Sequence, residues 1–172
     1  MTNTLEFIKL SENATTPTRE RLDAGFDIYA AETVMLESQE KAVIKTDVAV
    51  NIPEGYVGLL TSRSGVSSKT HLVIETGKID AGYQGNLGIN IKNDAEYIDM
   101  SDNLLVEGFG VLNIKGQATN DLHQIPNSYG IKKGDKLAQL VIVPIWTPEL
   151  KEVKEFSNVS ERGTDGFGST GY

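Results

Sequence analysis

Cysteine is absent from this 172-residue sequence, and histidine occurs only as His71 and His123. Without cysteine, the chain can form no disulfide framework, no thiolate nucleophile and no cysteine-based metal site. Two histidines also argue against a histidine-based metal centre or a Ser-His-Asp triad. An absence of cysteine suits a reducing compartment, so the sequence predicts a cytoplasmic location.

Basic residues are fewer than acidic ones, and long apolar runs are missing. Sixteen Lys and Arg residues against 24 Asp and Glu residues give a net charge of −8. This balance argues against direct nucleic-acid binding, which needs a basic face. No apolar run approaches the roughly 18 residues of a membrane helix, and residues 1–6 show no signal-peptide pattern. We therefore expect no membrane partner, although a few local donors can still hold a small anion.

Short strands separated by turn signals account for most of the sequence. The length fits one domain, which can bury roughly 70% of its unfolded surface. Strands are predicted within residues 5–10, 23–30, 41–52, 56–60, 87–92 and 137–145. The last of these is apolar at both parities, which indicates a strand buried on two sides. One short helix is predicted to start within residues 67–70, and the pattern as a whole favours an all-β sandwich or jelly-roll.

Residues 77–92 form the most informative stretch. Leu87, Ile89 and Ile91 alternate with polar residues, which predicts a strand with one buried face. A second short apolar run, Leu72-Val73-Ile74, and then glycines 77, 82 and 85 come before it, so we interpret the stretch as a β-hairpin whose tip carries Asp80 and Tyr83. From this stretch alone, an ordinary tight hairpin with a turn aspartate is the favoured interpretation.

Three further stretches place small hydrogen-bond donors beside glycine. They are Arg63-Ser64-Gly65, the segment 134–140 that contains Gln139, and the C-terminal residues 162–171. Arginine, hydroxyl groups and exposed backbone amides are the groups that phosphate oxygens prefer. The C-terminal stretch lacks the Gly-Lys-Ser/Thr of a Walker loop. A glycine-rich terminus is commonly disordered, but Phe167 among the glycines suits a flap that stacks on a ring.

Taken together and in order, five stretches resemble the five motifs of the homotrimeric dUTPase family. They are Ala24-Gly25-Phe26-Asp27-Ile28-Tyr29, Arg63-Ser64-Gly65, Gly77-Lys78-Ile79-Asp80 with Tyr83-Gln84-Gly85, Gly134-Asp135-Lys136-Leu137-Ala138-Gln139-Leu140, and residues 162–171. Each stretch alone is weak, whereas all five in order are highly specific. Gln84 and Lys136 stand where many members have arginine, and both keep a hydrogen-bonding side chain.

The resemblance implies a jelly-roll homotrimer that hydrolyses dUTP to dUMP and pyrophosphate with Mg²⁺. Residues 1–160 would form the domain, and residues 161–172 would form a C-terminal flap. Asp80 would be the general base, and Asp27 would hold Mg²⁺ through a water. Substrate-binding roles would fall to Arg63, Ser64, Gly65 and Gln139 on phosphates, Gly77, Ile79 and Tyr83 on the nucleoside, and Arg162, Phe167, Gly168, Ser169 and Thr170 in the flap. Such sites would be shared between subunits.

Residues 94–126, called the insert below, depart from shorter members of that family. The stretch mixes acids with apolar residues and shows no sustained period, so we predict a loop-rich excursion without regular structure. It is too apolar for a solvated linker, which predicts a small appendage on the subunit surface. By resemblance to phage enzymes, it would dock another protein, namely a repressor. A decorative insertion on its own subunit is the alternative.

Two other functions compete with dUTP hydrolysis. A related jelly-roll class deaminates dCTP, but it needs a glutamate in the hairpin region and usually a tryptophan at position 83, where this chain has Tyr83. A pure binding protein on an inactive enzyme scaffold is the second alternative. Turnover assays with dUTP and dCTP separate the three possibilities.

Overall fold

A computed structural model describes residues 4–99, 108–158, 160, 161, 163 and 164. Within these residues the chain forms thirteen strands and one four-residue helix. The elements are β1 (Glu6–Lys9), β2 (Phe26–Tyr29), β3 (Val34–Leu36), β4 (Lys41–Lys45), β5 (Val48–Asn51), β6 (Tyr56–Ser62), α1 (Ser64–Ser67), β7 (Leu72–Ile74), β8 (Gly77–Ile79), β9 (Gly88–Asn93), β10 (Phe109–Leu112), β11 (Ala118–His123), β12 (Tyr129–Ile131) and β13 (Lys136–Pro144). The all-β prediction is confirmed. The helix begins three residues before the predicted position, directly after Arg63.

The strands form four sheets that pack around one apolar core. The sheet orders are β2-β13-β6-β8, β4-β9-β7, β11-β10-β12-β3 and the pair β1-β5. Leu60, Ile89, Ile91, Leu137 and Leu140 are each exposed by 1% or less at the centre of this core. The described part of the chain has no helix long and apolar enough to cross a membrane.

Strand β13 is the central strand of its sheet, paired with β2 on one edge and β6 on the other. Its register against β2 shifts, since Lys136 lies opposite Tyr29 while Ala138 lies opposite Ile28. This β-bulge allows two successive residues, Leu137 and Ala138, to be fully buried. The predicted two-sided burial holds for this half, whereas Val141 beyond it is half-buried.

The predicted β-hairpin is confirmed for the run 72–74 and the strand 87–92, but it is wrong for residues 77–79, which belong to another sheet. Strand β8 pairs with β6, and strand β9 pairs with β4 and β7, so the two strands belong to different sheets. The actual antiparallel partner of β9 on this side is the earlier apolar run of β7, with Ile74 opposite Ile91. Residues 80–87 therefore form an inter-sheet loop that crosses the sandwich.

The predicted single strand over residues 41–52 is also interrupted. Strand β4 ends at Lys45, and Asp47 adopts a left-handed backbone conformation with φ 51° before β5 begins. Thr46 at this break is fully buried, and its hydroxyl accepts a hydrogen bond from the Val48 amide at 3.2 Å. The alternating pattern continues through the break, so the pattern does not predict the end of β4 at Lys45.

The insert contains regular structure, contrary to prediction. Strands β10 and β11 form an antiparallel hairpin, and β10 also pairs in parallel with β12 through Leu112 and Tyr129. Val111 is only 2% exposed, and Ile114 packs against the core. The insert is therefore partly built into the domain. Residues 100–107 lie outside the described part.

Asn93, which is fully buried, fastens both ends of the insert. Its amide nitrogen donates to the carbonyl oxygens of Leu36 at 3.1 Å and Asn127 at 2.8 Å. Its side-chain oxygen accepts a hydrogen bond from the Ala95 amide at 3.1 Å. Because a buried amide is costly unless all its groups are paired, this arrangement fixes where the insert leaves and rejoins the domain.

Candidate active site

A cluster of one carboxylate and two cations lies across the β2-β13-β6 sheet. Asp27 Oδ1 accepts from Arg63 Nε at 2.7 Å, and Asp27 Oδ2 accepts from Lys136 Nζ at 3.0 Å. Directly opposite strand residues share a face, and the register places Gln139 between Asp27 and Thr61. The bulge at Leu137 puts Lys136 on this same face, so the sheet itself assembles the carboxylate–cation cluster.

The cluster keeps its carboxylate ionised. Burial by itself would raise the pKa of Asp27, whose side chain is only 10% exposed. The Lys136 hydrogen bond and the charges of Arg63 and Lys136 outweigh burial, so the net effect lowers the pKa of Asp27. The same hydrogen bond raises the pKa of Lys136. All three groups are therefore charged at neutral pH.

Tyr29 and Thr18, which sequence reasoning did not assign to the site, support this cluster. The Lys136 ammonium lies 5.6 Å from the centroid of the Tyr29 ring, a cation–π distance. The Tyr29 hydroxyl is in turn 2.6 Å from the Thr18 hydroxyl. Tyr29 lay within the first motif and could have been singled out there, whereas nothing in the sequence pointed to Thr18.

Helix α1 begins directly after Arg63 and carries two predicted phosphate-binding residues. Ser64 and Gly65 are both exposed, and a side chain at Gly65 would meet no heavy atom within 4 Å. Arg63 has an extended backbone, with φ −87° and ψ 136°, so its side chain turns back to Asp27. The first turn of α1 thus presents a hydroxyl and an open backbone beside the cluster.

The inter-sheet loop holds the predicted base, Asp80, and the predicted nucleoside contact, Tyr83. Asp80 is exposed, and its carbonyl accepts from the Tyr83 amide at 3.1 Å across a turn. Gly82 in this turn has φ +84°, a conformation that L side chains rarely adopt. The Tyr83 hydroxyl donates to the Asn86 carbonyl at 3.1 Å. Gly77 and Ile79, the predicted backbone contacts, lie just before the loop in β8.

The Tyr83 ring rests on a glycine. A Cβ at Gly85 would lie 2.5 Å from the Tyr83 hydroxyl oxygen and 2.6 Å from Cζ, so a larger residue there would displace the Tyr83 side chain. The end of the loop is anchored by Asn86, whose amide nitrogen donates to Asp47 Oδ1 at 2.8 Å. Gln84 donates to Asn51 at 3.1 Å. The loop therefore has a fixed end and an exposed turn.

One subunit does not bring the inter-sheet loop and the carboxylate–cation cluster together. In the β6–β8 ladder, Gly58 lies opposite Ile79, which places Asp80 opposite Val57. Arg63 lies six positions further along β6 than position 57, or roughly 20 Å at about 3.3 Å per residue. The predicted base and the predicted phosphate ligands thus lie at opposite ends of one strand.

The predicted flap residues cannot be placed. Arg162, Phe167, Gly168, Ser169 and Thr170 lie outside the described residues.

The subunit is thus a sandwich of short strands with cationic side chains on one sheet and a glycine-rich loop between two sheets. The dUTPase family model matches residues 12–102 and 103–171. The chain therefore belongs to the dUTPase family, whose members are deoxyuridine triphosphate nucleotidohydrolases.

Both cellular and phage relatives support the family assignment. The chain is 36% identical over 97% of its length to the enzyme of Rattus norvegicus, covering 67% of that protein. It is also 36% identical to the mitochondrial enzyme of Homo sapiens, of which it spans only 54%.

Two phage structures cover nearly all of the chain. The dUTPase of Staphylococcus bacteriophage 80alpha, solved with dUpNHpp, is 64% identical, with a TM-score of 0.88 over 99% of this chain and 100% of that one. A mutant dUTPase from phage phi11 of S. aureus, described as coordinating a structural Mg(II) ion, is 66% identical. Its TM-score is 0.81 over 91% of this chain and 100% of that one. The fold is thus the jelly-roll of phage-type dUTPases.

Lys136→Met should raise the pKa of Asp27 because it removes the cation 3.0 Å from Oδ2. A lowered folded-state pKa stabilises the protein above the unfolded pKa of about 3.9, and this contribution is lost as pH falls through the folded value. The variant should therefore lose less stability than the wild type on acidification below about pH 4. Carboxyl ¹³C NMR of Asp27 measures the pKa directly. Lys132→Met, at an exposed lysine 3.7 Å from Asp121, is the control. An unchanged Asp27 titration in Lys136→Met would contradict the assignment.

Proposed function

We propose that the protein hydrolyses dUTP to dUMP and pyrophosphate with Mg²⁺ in the cytoplasm, which keeps uracil out of DNA and supplies dUMP. The observation that carries this proposal is the ionised Asp27 held by Arg63 and Lys136 beside Gln139. Two cations, an amide and the exposed start of α1 form a surface suited to a polyphosphate. The family supplies the reaction class, and the neighbouring phage enzyme was solved with dUpNHpp.

Phosphate binding falls to the side chains around α1. Arg63 keeps guanidinium N–H groups beyond its Nε contact with Asp27, so it can hold a phosphate while still paired. Ser64 offers a hydroxyl and Gly65 an unobstructed backbone amide. Gln139, half-buried on the central strand, adds an amide donor. Arg162, Ser169 and Thr170 of the flap would hold the γ-phosphate, as in similar proteins.

Asp27 fits a role in holding Mg²⁺ through water. Each carboxylate oxygen accepts one hydrogen bond here and keeps a second acceptor position free, so a metal-bound water could still donate to it. Within residues 4–99 and 108–158, no group of three or more His, Cys, Asp or Glu side chains could enclose a metal. When bound to the triphosphate, Mg²⁺ supplies positive charge against the charge that develops on the phosphate oxygens.

The nucleoside end of the substrate suits the inter-sheet loop. Tyr83, seated on Gly85, offers a flat surface for deoxyribose and leaves no room for a 2′-hydroxyl. The backbone of Gly77 and Ile79 pairs with the uracil edge, and Phe167 with Gly168 covers the base from the flap. Asp80, exposed at the turn, orients the attacking water and accepts its proton. The oxygen of that water bonds to phosphorus, the bond between the α- and β-phosphates breaks, and pyrophosphate leaves.

This division of roles requires a site shared between subunits of a homotrimer. Asp80 and Arg63 are roughly 20 Å apart along one strand, too far for both to flank one scissile bond. Apolar side chains after β13 also support association, since Trp146 is 87% exposed and Phe156 is 88% exposed in the isolated subunit. We therefore assign the loop to one subunit, the phosphate ligands to a second and the flap to a third.

Asp80→Asn should lower dUTP turnover by at least 10²–10⁴-fold while the variant still binds substrate, because it removes the group that accepts the proton. Turnover is measured by pyrophosphate release, and binding is measured with a non-hydrolysable dUTP analogue. Wild-type protein is assayed with dCTP in parallel, where no deamination is expected. Near wild-type kcat in Asp80→Asn would show that the base lies elsewhere.

Subunit mixing tests the shared site. Asp80→Asn protein and protein truncated after residue 160 should each be nearly inactive, because one lacks the base and the other lacks the flap. Mixing them after subunit exchange should restore part of the activity, since some sites then combine an intact Asp80 with an intact flap. Exchange demonstrated by mass spectrometry without any recovery, or a monomeric mass by light scattering, would contradict sharing.

We also propose that the insert binds a protein partner, namely a repressor whose DNA binding is relieved. The 80alpha relative is described as one of the phage dUTPases that control transfer of virulence genes. In this chain, β11 is the outer strand of its sheet among the described residues, and its Leu122 is 58% exposed. An exposed apolar side chain on an outer strand is suited to pairing with another chain.

Leu122→Asp should weaken repressor binding at least tenfold without changing dUTP turnover, because it places a charge on the exposed face of β11. Val43→Asp, at a similarly exposed position of β4 (64% exposed), is the matched control. Binding is measured by calorimetry, and relief of repression by a DNA mobility-shift assay. Equal repressor affinity in the Leu122 and Val43 variants would remove β11 from the interface.

A further inference from the structure

The turn of the insert hairpin touches the segment that ends helix α1. Gly116 in this turn has φ +71°, and a Cβ placed on it would lie 2.2 Å from the carbonyl oxygen of Lys69. Such a distance leaves no room for any side chain. The backbones of the two segments are therefore in direct contact, although Lys69 and Gly116 lie 47 positions apart along the chain.

The turn that makes this contact is held by its own hydrogen bonds. The side-chain oxygen of Asn113 accepts from the amides of Lys115 at 2.9 Å and Gln117 at 3.1 Å. The Asn113 carbonyl also accepts from the Gly116 amide at 2.9 Å. Ile114 packs against the domain core. The turn is consequently a fixed backbone surface rather than a free loop tip.

The segment that receives the turn is tied closely to the start of α1. The Lys69 and Thr70 amides donate to the Val66 carbonyl at 3.2 and 3.1 Å, and the Ser68 amide donates to the Ser64 carbonyl at 3.0 Å. The Thr70 hydroxyl also donates to Val66 at 2.8 Å. Lys69 is therefore linked to the start of α1 through the Val66 carbonyl and, by way of the neighbouring Ser68, through the Ser64 carbonyl.

His71, which follows this segment, is held by two further hydrogen bonds. The His71 amide donates to the hydroxyl of the buried Tyr129 at 3.1 Å, and the His71 carbonyl accepts from the Asp94 amide at 2.8 Å. Both partners lie at the borders of the insert. The segment from Lys69 to His71 thus contacts the insert at its turn and at its first residue, and it contacts β12 just after the insert.

We propose that the hairpin turn of the insert is a positioning element for phosphate binding. The Gly116 backbone holds Lys69, and Lys69 sets the place of Ser64 and Gly65 at the start of α1. This inference rests on the proposed phosphate role of α1 and extends that role to a residue outside the five motifs.

Gly116→Ala tests the contact, and Gly55→Ala is its matched control. Both glycines have left-handed backbones, with φ +71° and +82°, so both substitutions introduce similar strain. A side chain at Gly55 meets nothing within 4 Å, whereas one at Gly116 meets the Lys69 carbonyl. The difference between the two variants therefore reports the contact alone.

Affinities are measured by calorimetry with the non-hydrolysable triphosphate dUpNHpp and Mg²⁺, and by competition with deoxyuridine, which has no phosphate. Gly116→Ala should weaken dUpNHpp binding about tenfold and raise KM for dUTP with a smaller effect on kcat. Deoxyuridine binding should change less than twofold, and amide NMR signals of Ser64 and Gly65 should shift. Gly55→Ala should leave all four measurements at wild-type values.

Equal dUpNHpp affinity in the two glycine variants would overturn the inference. If Gly116→Ala does not fold, Asn113→Ala replaces it, since it removes the acceptor of two turn hydrogen bonds without adding a clash. Asn113→Ala should also weaken dUpNHpp binding, and unchanged binding would overturn the inference. An absence of wild-type dUTP turnover would instead refute the proposed function. The amide shifts of Ser64 and Gly65 would then still show whether the Gly116 contact sets the position of the start of α1.

Discussion

The buried carboxylate of Asp27 is the constraint on which the arrangement of the central sheet depends. A carboxylate with a 10% exposed side chain is costly to ionise unless it is paired and hydrogen-bonded. Two strands supply the pairing, because Arg63 follows β6 and Lys136 begins β13. Removing either cation leaves a partly compensated charge. The bulge at Leu137 and the registers of β2 and β6 are thus as necessary to the site as the charged groups.

Placing the charge cluster and the inter-sheet loop at opposite ends of β6 has a structural cost and a benefit. In the shared site proposed above, each subunit holds half of the machinery, so a complete site depends on association. In return, each half is rigid in its own way: the cluster by ion pairs across three strands, the loop by Asn86 and by the seat that Gly85 gives to Tyr83.

The sequence predicted features that depend on neighbouring residues better than features that depend on distant ones. Alternation located β9 and composition located β13, because burial of one or two faces of a strand shows in the local pattern of apolar residues. The place of residues 77–79 in the hairpin was wrong because β7 and β8 both precede β9, and only tertiary packing decides which of the two pairs with it. The four residues of β10 were too few to show a period. Asp27 came from motif resemblance, but its partner Lys136 depends on a bulge that no local pattern marks.

The hairpin of the insert has an exposed outer strand, β11, and a turn that is held by contact with Lys69. Residues on β11 such as Leu122 are exposed to solvent and are not part of the packed core. Gly116 at the tip, by contrast, has no space around it. Adding one residue to each strand would extend the hairpin by about 3.4 Å and drive the turn into Lys69. During evolution the insert can therefore change the chemistry of its outer strand freely, whereas its length is set by the helix it meets.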